Sequence, residues 1–319
     1  MKTAKVLAKF VSMLALLVLC AVFGWAGEPQ PKEEKLRVAT RLVPPFVFEE
    51  KGRLAGFSVD LWGRVTGNGR KRFPRGAQEV PIMSPDPRIG LIIPSSNRLT
   101  EPQFHRYAPP GVGVHVARIR MTGQWHRPLR DLRQSIAETA GALSDTRPGL
   151  IVFHCTASSM EEGLKGESDV LETIEKSSGC PAITTAQAIA QALSHAGVRK
   201  LVLISPYIKE TNQHEVRYLR EAGFEVIHEL GLGLRGGDEY ITVTPERWKE
   251  VVIKNARDKA DGYLLSCTNT TMIEAIEDLE ERLGKPVITS NQATLWLSLH
   301  RIGRSQPIKG LGRLFQQTG

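Results

Sequence analysis

From Ile89 onward the chain alternates short unbroken apolar runs with longer stretches whose apolar residues recur at helical spacing. The runs IGLII (89–93), VGVHVARI (112–119), LIVFH (150–154), KLVLIS (200–205), FEVIHEL (224–230), YLLSC (263–267) and PVITS (286–290) are predicted strands. They are continuous rather than alternating, which is the pattern of strands buried on both faces. Between them, TTAQAIAQALSHAG (184–197) predicts a helix closed by Gly197, and TPERWKEVVIKNARDKA (244–260) one opened by Thr244 with Pro245 in its first turn. TMIEAIEDLEERLG (271–284) predicts a third, closed by Gly284. Strands alternating with helices imply an α/β fold with parallel sheets and right-handed crossovers.

Before residue 88 the pattern is different. Residues 1–26 carry early lysines, an apolar run from Phe10 to Phe23 and small residues Gly24 and Ala26 before a cleavage point, which is the layout of a secretory signal. An uncleaved anchor is the alternative, because the run approaches spanning length. Cys20 follows Leu19, where a lipoprotein signal requires a small residue, so lipidation is not expected. Residues 27–62 include FVFEEKGRLAGF, which predicts a hairpin turning at Lys51-Gly52. The stretch 36–62 resembles the opening of periplasmic amino-acid solute-binding proteins, but a complete two-lobed binding protein does not follow. Residues 63–87 are rich in Gly, Pro and Arg without an apolar period and are expected to be a linker. Together these segments predict a poorly structured N-terminal extension, and export to the periplasm if the signal is authentic.

The chain has 319 residues, 41% of them apolar, enough for a large core. Its formal charge of +8 collects at Lys2, Lys5, Lys9, Arg64, Arg70, Lys71, Arg72 and Arg75. A targeting segment and a linker account for that excess, so no nucleic-acid partner is expected. Membrane contact is expected only through an uncleaved signal, and self-association stays open.

Three cysteines follow the signal, Cys155, Cys180 and Cys267, an odd number without a Cys-x-x-Cys pair. That excludes a disulfide framework and a zinc knuckle. Two of them share a phrase: HCTASSM (154–160) and SCTNTTM (266–272). Each is followed by Pro-x-Ile-Thr-hydroxyl-x-Gln-Ala, in PAITTAQA (181–188) and PVITSNQA (286–293), after gaps of 26 and 19 residues. Matching punctuation in the same order predicts two copies of one unit related by a pseudo-twofold axis. Each phrase closes a strand and opens a helix, where ligands bind in open parallel sheets. Helix-start amides and hydroxyls there are expected to hold a carboxylate and to lower the thiol pKa. Two thiols facing one cleft suit two-base or addition chemistry at carbon. Cys180 lacks the phrase and is assigned to packing. His154, one residue before Cys155, is expected to point to the opposite face of its strand, and His195 and His300, late in their helices, to be structural.

These phrases, with RIGLIIPSSN (88–97), LISPYIKETN (203–212) and KGLGRLF (309–315), make residues 88–319 resemble the aspartate/glutamate racemase superfamily, nearest its maleate isomerase and arylmalonate decarboxylase branch. The resemblance implies two pseudo-symmetric flavodoxin-like lobes, about 88–200 with the C-terminal tail and about 201–300, with the active site between them and neither cofactor nor metal. It implies Cys155 as nucleophile or first base and Cys267 as the cysteine that moves the proton. It also implies Asn97 and Tyr207 as contacts to a substrate carboxylate, and Thr156, Ala157 and Thr268 as pocket lining. The decarboxylases keep one of the two cysteines, so both being present favours isomerisation or racemisation. The maleate isomerases use an asparagine from a loop of the second lobe. GLGLRGGDEYITVTPER (231–247) has none, and Arg235 is the candidate substitute. The expected function is a cofactor-independent, two-cysteine isomerase of a small dicarboxylate. A racemase, an arylmalonate-type decarboxylase and a non-enzymatic solute-binding protein are the alternatives.

Overall fold

The computed structural model describes residues 48–50, 53–55, 87–122 and 126–316. The signal segment, most of the solute-binding-like stretch and residues 63–86 of the expected linker lie outside them. The chain divides into two units, Met1–Val80 and Pro81–Gly319. In the first, β1 (Phe48–Glu50) pairs antiparallel with β2 (Arg53–Ala55), Glu50 opposite Arg53, which is the predicted hairpin.

The second unit holds two four-stranded parallel sheets of identical topology. The first has β4 (Gly113–Ile119), β3 (Arg88–Pro94), β5 (Leu150–Phe153) and β6 (Ala182–Thr184) in that spatial order. The other has β8 (Glu225–Gly231), β7 (Lys200–Ser205), β9 (Gly262–Leu265) and β10 (Val287–Thr289). In both, the first strand of the half lies between the second and the third, so the crossover direction reverses between the first and third strands, where an open α/β sheet forms its crevice. This is the duplication that the two cysteine phrases implied. The central strands are buried along nearly their whole length, as predicted. Strands β4 and β8 lie at sheet edges and are only half buried. The sequence reading did not name β6, although its PAITT repeats the PVITS of β10.

Helices α1 (Thr100–Tyr107), α2 (Arg133–Ser144), α3 (Thr156–Met160), α4 (Gly163–Ser178) and α5 (Thr185–His195) belong to the first half. Helices α6 (Lys209–Glu221), α7 (Gly237–Tyr240), α8 (Pro245–Lys254), α9 (Ile276–Leu283) and α10 (Ser290–Arg301) belong to the second. Thr244 caps α8 by accepting from the Arg247 amide, with Pro245 in the first turn. That helix stops at Lys254, short of the predicted end, because Asn255 turns its side-chain amide onto the Val251 carbonyl. Gly197 and Gly284 adopt positive φ just beyond α5 and α9, the conformation a helix stop requires of glycine.

Alternate residues of the first sheet serve two cores. Ile92, Ile151, Phe153 and Cys155 pack under α2 and α4 with Ile136, Leu143 and Ile174. Ile89, Leu91, Leu150 and Val152 face the other way and join Leu201, Leu203, Leu264 and Ile288 of the second sheet in one continuous cluster. The halves therefore share a core. The C-terminal tail, expected with the first lobe, hydrogen-bonds to the second: Gly310 N to Glu277, Arg313 N to Glu280, and Gln292 Nε2 to the Leu311 carbonyl. No helix among the described residues is long and apolar enough to cross a membrane.

Candidate active site

Both cysteines stand two residues beyond a third strand, Cys155 after β5 and Cys267 after β9. The loops after the first strands, Ser95–Leu99 and Pro206–Ile208, flank them at the reversal point of each sheet. Cys155 leaves the strand extended and its carbonyl accepts the first helical bond of α3, from the Ser159 amide at 3.0 Å. Its sulfur lies 3.4 Å from Ser158 Oγ. Cys267 receives the Asn269 amide on its sulfur at 3.4 Å, and the Tyr207 hydroxyl acts to lower the pKa of the same thiol.

Only 4% of Cys155 and 6% of Cys267 is exposed. That overturns the expectation of thiols activated in the resting enzyme. Burial pushes the Cys155 thiol up, against the lowering effect of Ser158. Burial pushes Cys267 up to about 12, against the Tyr207 hydroxyl and the Asn269 amide. A few aligned donors do not match the loss of water around a sulfur anion. The nearby acids Glu215 and, for Cys155, Glu161 act in the same direction as burial.

One hydroxyl joins the two cysteine phrases. Ser290, opening α10, accepts from the Cys267 amide at 3.0 Å and from Thr156 Oγ1 at 2.9 Å. Thr156 thus spends its side chain on the second half rather than on an open pocket. Ala157 is the one residue of α3 that is only partly buried. The Thr268 carbonyl gathers Asn97 Nδ2, Thr100 Oγ1 and Asn291 Nδ2 at 3.0–3.3 Å. Asn97 also reaches Thr268 Oγ1 at 3.1 Å, and its Oδ1 accepts from the Leu99 and Thr100 amides. Both ends of that amide are therefore occupied. Asn97 was expected to touch the substrate; here it caps the start of α1 and clamps the halves together, because Thr268 lies within its reach.

His154 is a second clamp. Its Nε2 donates to Asn291 Oδ1 at 2.9 Å, and its Nδ1 pairs with Thr185 Oγ1 at 2.8 Å. Complete burial lowers its pKa to about 3, so it is neutral and takes no charge to the cysteines. His195 and His300 pack against Trp296 of α10 with their rings tilted to it, centroids 5.0 and 4.5 Å away. All three are structural, as expected. Cys180 is half-buried and its sulfur lies near the Pro148 and Ser178 carbonyls.

Tyr207 is buried where the sequence placed it, and burial holds its hydroxyl protonated. The Arg235 side chain, the candidate substitute for the missing asparagine, is exposed, and its amide donates to Glu239 Oε2 at 2.9 Å. The same loop brings in Tyr240, whose ring meets that of Tyr207 edge-on at 5.6 Å. Sequence reasoning also missed Ser158, Asn269 and Ser290. The hydroxyl at Ser290 was visible in the repeat, but its position across the pseudo-twofold was not. Among the described residues no cluster of three or more His, Cys, Asp or Glu side chains could hold a metal.

A family model for arylmalonate decarboxylase matches residues 89–315. The chain belongs to the arylmalonate decarboxylase family. Within it, this chain is 27% identical over 242 residues to the maleate isomerase of Alcaligenes faecalis, covering 71% of this chain and 95% of that one. The maleate isomerase of Geobacillus stearothermophilus is 25% identical, with 71% and 96% covered. The arylmalonate decarboxylase of Bordetella bronchiseptica is 24% identical, with 73% and 98% covered. The fold matches a Nocardia farcinica maleate cis-trans isomerase, a cysteine-to-serine mutant with a covalently bound succinylcysteine intermediate, at a TM-score of 0.67 and 21% identity over 73% of this chain and 99% of that one. Family membership makes this chain an enzyme. The solute-binding alternative finds no support in these matches.

Proposed function

We propose that the protein is a cofactor-independent cis-trans isomerase of a small dicarboxylate of the maleate type, working through Cys155 and Cys267. The observation that carries the reading is the Ser290 hydroxyl, which ties Thr156, next to Cys155, to the backbone of Cys267. Both sulfurs also act on the same two tyrosines, Tyr207 and Tyr240. Retention of both cysteines favours isomerisation over the family's decarboxylation.

In this mechanism Cys155 loses its proton to water and its lone pair forms a C–S bond to one alkene carbon. The π electrons move onto the neighbouring carbon, which takes the proton of the Cys267 thiol. The central bond is now single and rotates. Cys267 thiolate then removes a proton from that carbon, the electron pair re-forms the double bond as trans, and the C–S bond breaks to return the Cys155 thiolate. A thiol with its pKa near 12 fits the acid role, since it keeps its proton until a carbanion asks for it.

Cys155→Ser is expected to lower maleate turnover by roughly a thousandfold or more. Cys267→Ser is expected to leave a stable adduct on Cys155, heavier by one maleic acid, detectable by intact-protein mass spectrometry. Full turnover in Cys155→Ser across a panel of diacids would remove the proposal. Carbon dioxide release from an arylmalonate without maleate isomerisation would replace it with decarboxylation.

A further inference from the structure

The segment between β8 and α8 is built against the first half as well as its own. Leu232, Gly233 and Leu234 donate their amides to the Ser205, Tyr207 and Pro206 carbonyls at 3.0, 3.0 and 2.9 Å, extending β8 alongside the Tyr207 loop. The chain then folds into one turn, the Gly236 carbonyl accepting from the Glu239 and Tyr240 amides. Gly237 lies so close to Asn269 and to the Ser96 carbonyl of the first half that a Cβ would stand 2.9 Å from Asn269 Nδ2. Asp238 pairs with Arg98, also of the first half. These contacts fix Tyr240 with its ring against that of Tyr207.

The Tyr240 hydroxyl has no hydrogen bond among the described residues, although the residue is only partly exposed. Its ring lies against Tyr207, and three residues earlier Gly237 packs on Asn269, whose amide bonds the Cys267 sulfur, so Tyr240 stands beside the cysteine site. Burial comes first among the causes that hold it protonated, so it is an uncharged donor at every physiological pH. The strongest electrical influences on Cys155, Cys267, Tyr207 and Tyr240 come from cysteines, tyrosines and the acids Glu161, Glu215 and Glu239. Arg98 is engaged by Asp238, and His154 is neutral. A carboxylate bound beside these groups gains from a neutral donor. Tyr240 offers such a donor, an unspent hydroxyl.

We infer that the Tyr240 hydroxyl donates to the second carboxylate of the substrate and so selects diacids over monoacids, an assignment that rests on the dicarboxylate reading above. Hydrogen bonds to charged groups are the strong ones, and loss of this one is expected to weaken diacid binding roughly tenfold to a hundredfold. The test measures protection of Cys155 from alkylation by iodoacetamide in the full chain, which needs no turnover. Succinate is the diacid probe and butyrate the monoacid.

In Tyr240→Phe, succinate protection should weaken by that factor while butyrate protection, the unprotected alkylation rate and the thermal midpoint stay at wild-type values. Tyr240→Leu should weaken succinate protection at least as much, and it serves as a second variant if the first is unstable. Equal succinate protection in wild type and Tyr240→Phe would overturn the assignment, as would equal weakening for succinate and butyrate. If the wild type isomerises maleate and the variant still binds succinate normally, only the Tyr240 role fails. If the wild type is protected by no diacid, the dicarboxylate reading fails with it.

Discussion

Glu215 shows how much one buried group can impose on this site. It lies on α6, fully buried, with Oε1 accepting from Ser266 Oγ at 2.8 Å and Oε2 without a hydrogen-bond partner. Nine residues after Pro94 in the first half comes Gln103, and nine after Pro206 in the second comes Glu215. The pseudo-symmetric partner is thus a neutral amide, and burial pushes Glu215 up to about 8, so at neutral pH it too is mostly uncharged. Once ionised it would raise both thiols. The stability sign follows from linkage. The folded state holds this proton above the ordinary carboxylate range, near 4.5, so its favourable contribution is complete below that pH and is lost as pH rises through about 8. Glu215→Gln should therefore gain stability over the wild type steadily across that window, by up to about 1.4 kcal/mol per pH unit. Urea unfolding at pH 5, 7 and 9 would read the difference. His154, whose depressed pKa lowers stability toward acid, is common to both proteins and cancels. A difference that does not change with pH would show that Glu215 is ionised throughout.

At the scale of elements, the repeat makes a controlled comparison available. Thr184 and Thr289 cap α5 and α10 by accepting from the amides of Gln187 and Gln292. Gln292 completes a capping box by accepting from the Thr289 amide, and its Nε2 donates to the Leu311 carbonyl at 2.7 Å. Gln187 has the same place in the repeat, yet its Oε1 is buried without a partner. Removing Gln292 strands two buried backbone groups, so Gln292→Ala should destabilise by roughly 2–4 kcal/mol. Gln187→Ala strands neither and should cost under about 1 kcal/mol. Equal losses in chemical denaturation would show that the caps, not the side-chain partners, decide the matter. The same pair shows what the sequence could disclose. Continuous apolar runs identified the buried strands, and Thr244, Pro245, Gly197 and Gly284 marked helix limits, because those signals are local. Helices such as α6, KETNQHEVRYLRE, were not named, since it buries Val216, Tyr218 and Leu219 amid polar residues. The cysteines, Tyr207, Ala157 and Thr268 were singled out as candidates through the phrases that carry them. The occupied amide of Asn97, the acceptance of Thr156 by Ser290 and the raised thiols depend on partners 100 or more residues away or on burial, which no local pattern records.

For the whole molecule, the question is whether the halves are separable. Each has a complete sheet, and repeat proteins of this kind invite the idea of two independent lobes. The core argues otherwise. One face of the first sheet joins the second sheet in a single apolar cluster, and the seam also buries polar links that include Asn97 to Thr268, His154 to Asn291, Gln103 to the Thr270 carbonyl, and Thr156 to Ser290. Splitting the halves would return that apolar area to water and leave those groups needing new partners, so neither half gains by unfolding later than the other. Residues 87–319 are therefore expected to unfold in one cooperative transition, with calorimetric and van't Hoff enthalpies equal. The family match begins at residue 89, inside the compact unit that starts at Pro81. Deleting residues 1–86 should thus leave the midpoint within a few degrees and maleate turnover within about twofold, whereas residues 87–198 or 199–319 alone should lack near-ultraviolet circular dichroism. Two resolved transitions in the intact chain, or a folded isolated half, would mean that each sheet is stable without the other. The active site would then be a contact between preformed lobes rather than a product of the core they share.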